Sequence, residues 1–289
     1  MLRLLRSEIF RMRRRWMPWI MLGLIVFAAF AVYFLVWVST QAQIEAMRSG
    51  QIPQQQGQTI ELLQETLLLV APGRVPDFGI GVVSGLGSVM LIVFAASHVG
   101  TEFGWGTFRT LLAHGANRGA FLASKAVSLI LYALVFMVLG TLAAIGASYA
   151  VSSVAGLALG SGVDIAEVAR VAAKSAYTFL PYMALALAIA VWSKSAGAGI
   201  AAGLVVNFTE SIVADILVSL NRDYAQIVNW GLSRNASALT RTAGDAVQNP
   251  TALTLPDPTR AAIVLAVYCV VFFALAYWRL RTRDVTVGG

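Results

Sequence analysis

Six long apolar stretches constrain the fold of this chain more than any other feature of its sequence. They cover residues 17–38, 79–99, 126–150, 175–192, 196–217 and 260–278. A helix that crosses a hydrocarbon layer about 30 Å thick needs roughly 20 apolar residues at a rise of about 1.5 Å each. Because 58% of the 289 residues are hydrophobic and only 12% are charged, the chain lacks the polar groups that would cover a soluble protein of this size. The sequence therefore predicts an all-α membrane protein with six transmembrane helices in a single domain, 1–289.

The segment before the first span, residues 1–16, is predicted to form an amphipathic interface helix. Leu2, Leu5, Ile9 and Met12 recur at intervals of three and four residues, with arginines between them. Such a helix either lies on the inner leaflet or also contacts a cytoplasmic partner, and both interpretations stay open. The apolar run that follows is longer than the 7–15 residues typical of a signal peptide, so we expect a retained membrane anchor.

Positive charge is concentrated next to the spans and predicts the topology. The net charge is +7. Arginines precede the first span at positions 3, 6, 11, 13, 14 and 15 and follow the last at positions 279, 281 and 283. The positive-inside rule then predicts a multi-pass protein of the cell (inner or plasma) membrane with both termini cytoplasmic, which leaves 39–78 and 218–259 as extracytoplasmic segments. With no aromatic-basic binding module present, these charges indicate contact with membrane lipid and not with nucleic acid.

Residue types that carry catalysis or bind metals are scarce. Cys269 is the single cysteine, so one chain can form neither a disulfide nor a cysteine-based metal site. His98 and His114 lack a nearby set of ligands, and we expect no metal. The sequence contains neither a G-x-x-x-x-G-K-[ST] phosphate loop nor an H-E-x-x-H motif. We therefore expect no catalytic residue, no ATP site and no bound cofactor on this chain.

The connector between the second and third spans carries helix signals of its own. Thr107 is a good N-cap and Gly115 a natural C-terminal stop. Between them, Phe108, Leu111 and Leu112 form an apolar patch. The sequence predicts a short helix across the membrane face whose patch needs a partner.

The same region carries a resemblance to a known family. The pattern Glu102, Gly106-Thr107, Leu111-Leu112, Gly115, Arg118, Phe121 and Lys125 resembles the "E…GT…LL..G..R..F…K" segment of type-2 ATP-binding-cassette (ABC) export permeases. In that family the segment contains the coupling helix, here 107–115, which docks on a separate ATPase subunit. Six spans after an amphipathic N-terminal helix is also the usual layout of the family.

The resemblance implies a permease subunit that couples ATP hydrolysis on a partner to substrate export. Its partners would be two copies of a cytoplasmic ATPase, which bind ATP and Mg, and a second permease copy in a homodimer. The implied coupling residues are Glu102, Gly106, Thr107, Phe108, Arg109, Leu111, Leu112, Gly115 and Arg118. Glu102, expected near a helix start, would pair with Arg109 or with a partner cation. An autonomous secondary transporter or channel is the alternative, and an ABC assembly that serves maturation or sensing is a further one.

The fifth span places small and polar residues on one face. Gly199, Gly203, Asn207 and Glu210 follow the spacing of three and four residues that lines one side of a helix. Glycines four residues apart allow a neighbouring helix to approach closely. A carboxylate in hydrocarbon is costly, so Glu210 is a candidate functional residue. We predict that these residues line the transport path or the dimer interface, unless Glu210 lies at the outer headgroups, as the nearby Asp215 suggests.

Overall fold

The computed structural model describes residues 2–51, 59–104, 117–157, 162–240 and 255–282. Within these ranges the chain forms helices and no strands. In chain order the helices are α1 (Leu2–Arg14), α2 (Trp16–Arg48), α3 (Ile60–Leu67), α4 (Ile80–Gly104), α5 (Arg118–Ala155), α6 (Ile165–Ser193), α7 (Ala196–Leu220), α8 (Ala225–Val228), α9 (Leu232–Thr240) and α10 (Pro258–Thr282). Six of them, α2, α4, α5, α6, α7 and α10, are long and apolar enough to span a membrane. The predicted fold class, an all-α multi-pass membrane protein, is confirmed.

The predicted coupling helix, 107–115, lies outside the described residues. The same holds for the site residues predicted on it and beside it, Gly106, Thr107, Phe108, Arg109, Leu111, Leu112 and Gly115. Glu102 and Arg118, which flank this segment, are both described.

Each of the six predicted spans corresponds to a helix, and the helices extend beyond the apolar runs. The first span, predicted at 17–38, is a helix of 33 residues, which at about 1.5 Å per residue is about 50 Å long. Its extension contains glutamine, alanine and glutamate, which form helices well although they are not apolar. Hydropathy therefore marks the membrane-crossing part of such a helix and not its ends.

The chain enters the second span through irregular turns. Two 3₁₀ turns, Leu68–Val70 and Pro72–Arg74, and a π-helical turn, Val75–Gly79, precede α4. The hydroxyl of Ser148 in α5 donates a hydrogen bond to the Val70 carbonyl at 2.7 Å. Side-chain donors of this kind satisfy backbone groups that a broken helix leaves without partners.

The fourth and fifth spans, α6 and α7, form a tight helical hairpin. Lys194, between α6 and α7, has a left-handed backbone with φ of 58°. Ser195 then caps α7 by accepting a hydrogen bond from the backbone N–H of Ala198 at 3.3 Å. A single left-handed residue followed by an N-cap is sufficient to reverse the chain here.

The predicted N-terminal helix corresponds to α1, and the side chain that it buries in the protein is Glu8, which lies off the apolar stripe. Ile9, on the predicted apolar stripe, is 39% exposed, whereas Glu8 is only 1% exposed. Phe10 is also exposed, so large apolar side chains of α1 face away from the rest of the chain. The reason is that the partners of Glu8 are cations inside the protein, which leaves the apolar side chains available for lipid.

The helices group into two compact units that are each discontinuous in sequence. The first unit comprises Met1–Trp19, Ser88–Val135 and Lys174–Gly289. The second unit comprises Ile20–Gly87 and Phe136–Ala173. The first unit contains the buried charged residues described next, and the second contains the turns before α4.

Candidate functional site

Ionisable side chains from three helices meet in the interior of the first unit. Glu8 of α1 and Glu102 of α4 are each 1% exposed, and Lys125 of α5 is fully buried. The Lys125 Nζ atom donates to Glu8 Oε2 at 2.7 Å, to the His98 carbonyl at 3.2 Å and to Glu102 Oε1. Its three donors are thereby all used. Together with Arg11 these residues form what we call the ionic cluster: Glu8, Arg11, His98, Glu102 and Lys125.

The charges of the ionic cluster balance. The Arg11 guanidinium donates to Glu8 and, at 3.1 Å, to Glu102 Oε1. Two carboxylates are thus matched by two cations, one of them, Arg11, only partly buried. Burial of unpaired charges is very costly, and pairing with well-placed hydrogen bonds offsets that cost. Each carboxylate of the cluster therefore contacts both cations, and loss of one cation leaves a buried negative charge in excess.

His98 joins the ionic cluster as a hydrogen-bonding residue. Its Nε2 atom lies 3.1 Å from the Ser128 hydroxyl oxygen and 3.4 Å from Glu8 Oε2. Because the Ser128 hydroxyl itself donates to the Lys125 carbonyl at 2.8 Å, we assign the donated proton to His98 Nε2. Phe94 stacks on the imidazole with ring centroids 5.4 Å apart, which fixes the ring orientation.

The ionic cluster lies where α4 ends and α5 begins, on either side of residues 105–116. Glu102 occupies the last turn of α4, and the helix start predicted at Thr107 lies outside the described residues. A carboxylate is unfavourable at the negative C-terminal end of a helix dipole. The two cations that contact it, Lys125 and Arg11, compensate this effect. Arg109 lies outside the described residues, so the predicted pairing of Glu102 with it stays a prediction.

Arg118 caps another helix at the same end of the first unit. Its guanidinium donates to the carbonyls of Leu280 and Arg281 at 2.6 and 3.0 Å, in the last turn of α10. A cation at a helix C-terminus satisfies free carbonyls and is favoured by the dipole. The start of α5 is therefore tied to α1, α4 and α10 at once.

The paired glycines of the fifth span confirm the predicted close helix approach. A Cβ added to Gly199 would lie 2.6 Å from the Ala186 carbonyl oxygen in α6 and 3.0 Å from the Ala96 Cβ in α4. At Gly203 it would lie 2.6 Å from Ile92 Cγ2 in α4. Both positions require glycine because α7 packs directly on two neighbouring spans.

Asn207 and Glu210 make contacts within the chain. The Ser88 hydroxyl of α4 donates to Asn207 Oδ1 at 3.4 Å. Glu210 Oε1 accepts a hydrogen bond from the Ser233 backbone N–H at 3.2 Å, which caps the start of α9. The second carboxylate oxygen, Glu210 Oε2, is buried and has no partner among the described residues. Whether these residues line a transport path or a dimer interface stays a prediction.

The start of α9 lies deep between its neighbours. Glu210 is ten residues before Leu220, the last residue of α7, or about 15 Å from that end at about 1.5 Å per residue. Tyr268, ten residues after the first residue of α10, donates to the Trp230 carbonyl at 3.0 Å. The contacts of Glu210 and Tyr268 thus both place the start of α9 ten residues from the end of a span. Each of these spans has 25 residues and is about 37 Å long at about 1.5 Å per residue, so a hydrocarbon layer about 30 Å thick centred on the two helices would include this depth.

We call residues 221–240 the re-entrant segment. The sequence prediction treats 218–259 as an outer connector, and the structure adds that this part of it returns between α7 and α10. Asn235 is fully buried, and its Nδ2 donates to the carbonyls of Asn229 and Gly231 at 3.0 and 2.6 Å. Such side-chain partners are what allow irregular backbone at membrane depth.

Sequence reasoning missed Glu8 and Lys125 as site residues, although each had a signal. Glu8 is the single acidic residue in the first 44 positions, surrounded by arginines. Glu102 is similarly isolated between Asp77 and Asp164. An isolated carboxylate next to a membrane span is costly without a partner, and a search for a matching cation would have found Lys125.

The fold and the ionic cluster define a class: an all-α, multi-pass membrane protein whose N-terminal helix is held by buried charges to the ends of two spans. The chain belongs to the family described as "Protein of unknown function (DUF2705)", whose sequence profile matches residues 82–286. No curated protein matches the chain.

Proposed function

We propose that this protein is the membrane-spanning permease subunit of an ABC exporter. In the proposed assembly, two copies of the chain pair in the cell membrane with both termini in the cytoplasm. Two cytoplasmic ATPase subunits bind ATP and Mg and dock on residues 107–115. The resemblance across Glu102 to Lys125 suggests this function, and the six spans agree with the layout of that family.

The ionic cluster is the observation that best supports the proposal. Residues 105–116 connect α4 to α5, and Lys125 joins the adjoining ends of both helices through its contact with Glu102. Glu8 adds α1 to the same contact, and Arg118 adds α10. A force applied to the connector would then move four helices together and would not simply unwind the helix ends. Rigid transmission of this kind is what an ATP-driven change in access requires.

Site-directed crosslinking tests the proposal. In a Cys269→Ser background, Phe108→Cys and Leu112→Cys should each crosslink to a cytoplasmic protein that a photoreactive ATP analogue also labels. Gln43→Cys, near the far end of α2, is the matched control and should give no such product.

Two outcomes would contradict the proposal. One is the absence of an ATP-binding crosslinked product in cells that express the chain at its natural level. The other is labelling of Phe108→Cys, but not Gln43→Cys, by a membrane-impermeant thiol reagent added outside intact cells.

One observation favours the alternative of an autonomous secondary transporter. The start of α9 contacts Glu210, ten residues before the end of α7, and helices that begin inside the membrane form substrate and ion sites in such transporters. The two functions differ in composition: the purified active complex of an autonomous transporter contains no ATPase subunit. Mass measurement of the intact complex, extracted with its lipid, separates them.

A further inference from the structure

An apolar groove runs between α2 and α5 on the second unit. Its volume is about 550 Å³, within the range of about 300–1,000 Å³ that is usual for ligand pockets. One wall carries Phe27, Phe30, Phe34 and Trp37 of α2, and the opposite wall includes Ala150 and Val154 of α5. We call it the aromatic groove.

The aromatic residues form one continuous face of α2. Their spacing of three and four residues places them one above the other along the helix. Phe34 and Trp37 are in contact, with ring centroids 5.7 Å apart. Phe27 and Val154 are each 70% exposed, so the groove opens sideways and is not an enclosed cavity.

The length of the aromatic groove matches one leaflet of a bilayer. From Phe27 to Trp37 the helix advances about 15 Å at about 1.5 Å per residue. This is half of a hydrocarbon layer about 30 Å thick. Trp37 lies about 20 residues beyond the arginines that precede the first span, where the membrane surface is expected. Tryptophan is enriched at this level because its ring has an apolar body and a polar edge.

We propose that the aromatic groove binds one acyl chain of a bilayer lipid, from the leaflet at the C-terminal end of α2. All the side chains that line it are hydrocarbon apart from the indole of Trp37, so it offers dispersion contacts and almost no hydrogen bonds. A concave wall surrounds a chain on more sides than a flat helix face does. The bound chain therefore exchanges more slowly than its neighbours in the surrounding lipid.

A transmembrane helix of a second copy is too large to lie within this groove. A helix with its side chains is at least about 10 Å wide, so single side chains of such a helix, and not the whole helix, fit between α2 and α5. A single acyl chain has no such bulk and is present throughout the membrane.

Photo-crosslinking of lipid tests this proposal independently of the proposed ABC function. The full chain is reconstituted in phosphatidylcholine vesicles that contain a small fraction of phosphatidylcholine with a diazirine on one acyl chain. After illumination, peptide adducts are mapped by mass spectrometry. We expect the adducts to concentrate on the aromatic groove and to be rarer around Leu142, a lipid-exposed residue of α5 that does not line it.

Two phenylalanine substitutions on α5 separate a groove site from general lipid contact. Ala150→Phe fills the groove and should reduce adducts there about tenfold, the effect of losing burial of roughly two methylene groups. Leu142→Phe adds an aromatic ring on the same helix outside the groove and should leave them unchanged. Ala31→Phe fills the groove from α2 and provides the same test if Ala150→Phe does not fold.

Either of two results would overturn the proposal. Equal adduct density in the groove and around Leu142, unaffected by groove filling, would mean ordinary lipid contact. A groove covered by a second copy would give few adducts, and Val154→Cys in a Cys269→Ser background would then form a disulfide-linked dimer.

Discussion

Replacement of Lys125 by methionine tests the ionic cluster most directly. Methionine retains an unbranched apolar side chain of similar length but removes the charge that contacts both Glu8 and Glu102. Arg11 alone would then face two carboxylates that are each 1% exposed. Removal of one partner from a buried ion pair typically costs about 3–5 kcal/mol, and we expect Lys125→Met to lower the free energy of unfolding by that amount.

The measurement is a denaturant titration of the purified protein in mixed micelles, with helix content as the signal. Lys194→Met is the matched control, because Lys194 is solvent-exposed and its replacement should change the free energy of unfolding by no more than about 0.5 kcal/mol. Glu102→Gln added to Lys125→Met restores the charge balance. The free energy of unfolding of the double variant should therefore be roughly 0.5–3 kcal/mol higher than the sum of the two single effects predicts.

Either of two results would contradict the stabilising role of the contact between Lys125 and Glu102. One is a loss for Lys125→Met that is no larger than the loss for the control. The other is strict additivity of the Lys125 and Glu102 effects, which would mean that the two side chains do not stabilise one another.

Three further predictions address the packing and the helix caps. Gly100→Ala should destabilise the chain by about 1–3 kcal/mol, because the new Cβ would lie 2.5 Å from backbone atoms of Ala196; an unchanged denaturation midpoint would contradict this packing. Glu210→Ala should speed hydrogen exchange at the Ser233 amide, whereas Glu210→Gln, which keeps an acceptor, should change it much less; equal rates in both variants would argue against the cap. Backbone N–H donors hold the pKa of the Asp257 carboxyl below its ordinary value of 3.8. The stability that the ionised carboxylate adds to the folded protein is therefore complete above pH 3.8, and it is lost as the pH falls through the lower pKa of the folded protein. Asp257→Asn should remove this contribution to the pH dependence of stability, which is measured as the difference in denaturation midpoint between about pH 5 and pH 3. The same difference in the variant and in the unchanged protein would contradict the prediction.

The spans were predictable because their signal is local. Each apolar stretch carries its own evidence for a transmembrane helix, as does the cap of α7 at Ser195. The close approach at Gly199 and Gly203 was also predictable, since small residues four apart on a helix face have few other uses in a membrane.

The ionic cluster was not predictable in the same way because its contacts are distant in sequence. Glu8 and Lys125 are 117 residues apart, and Arg118 and Leu280 are 162 apart. Periodicity showed that α1 is amphipathic but not which face the protein buries. That choice depends on where the partner cation lies, which no local pattern reports.

The re-entrant segment has a consequence for the order in which the protein is built. Its polar turns at Asn229 and Gly231 precede α10 in the chain, yet the Trp230 carbonyl receives its hydrogen bond from Tyr268 of α10. During synthesis the segment leaves the ribosome before the helix that supplies this contact. The contact with Tyr268 therefore forms only after the last span has been synthesised, so this segment reaches its final packing late although it lies in the middle of the second half of the sequence.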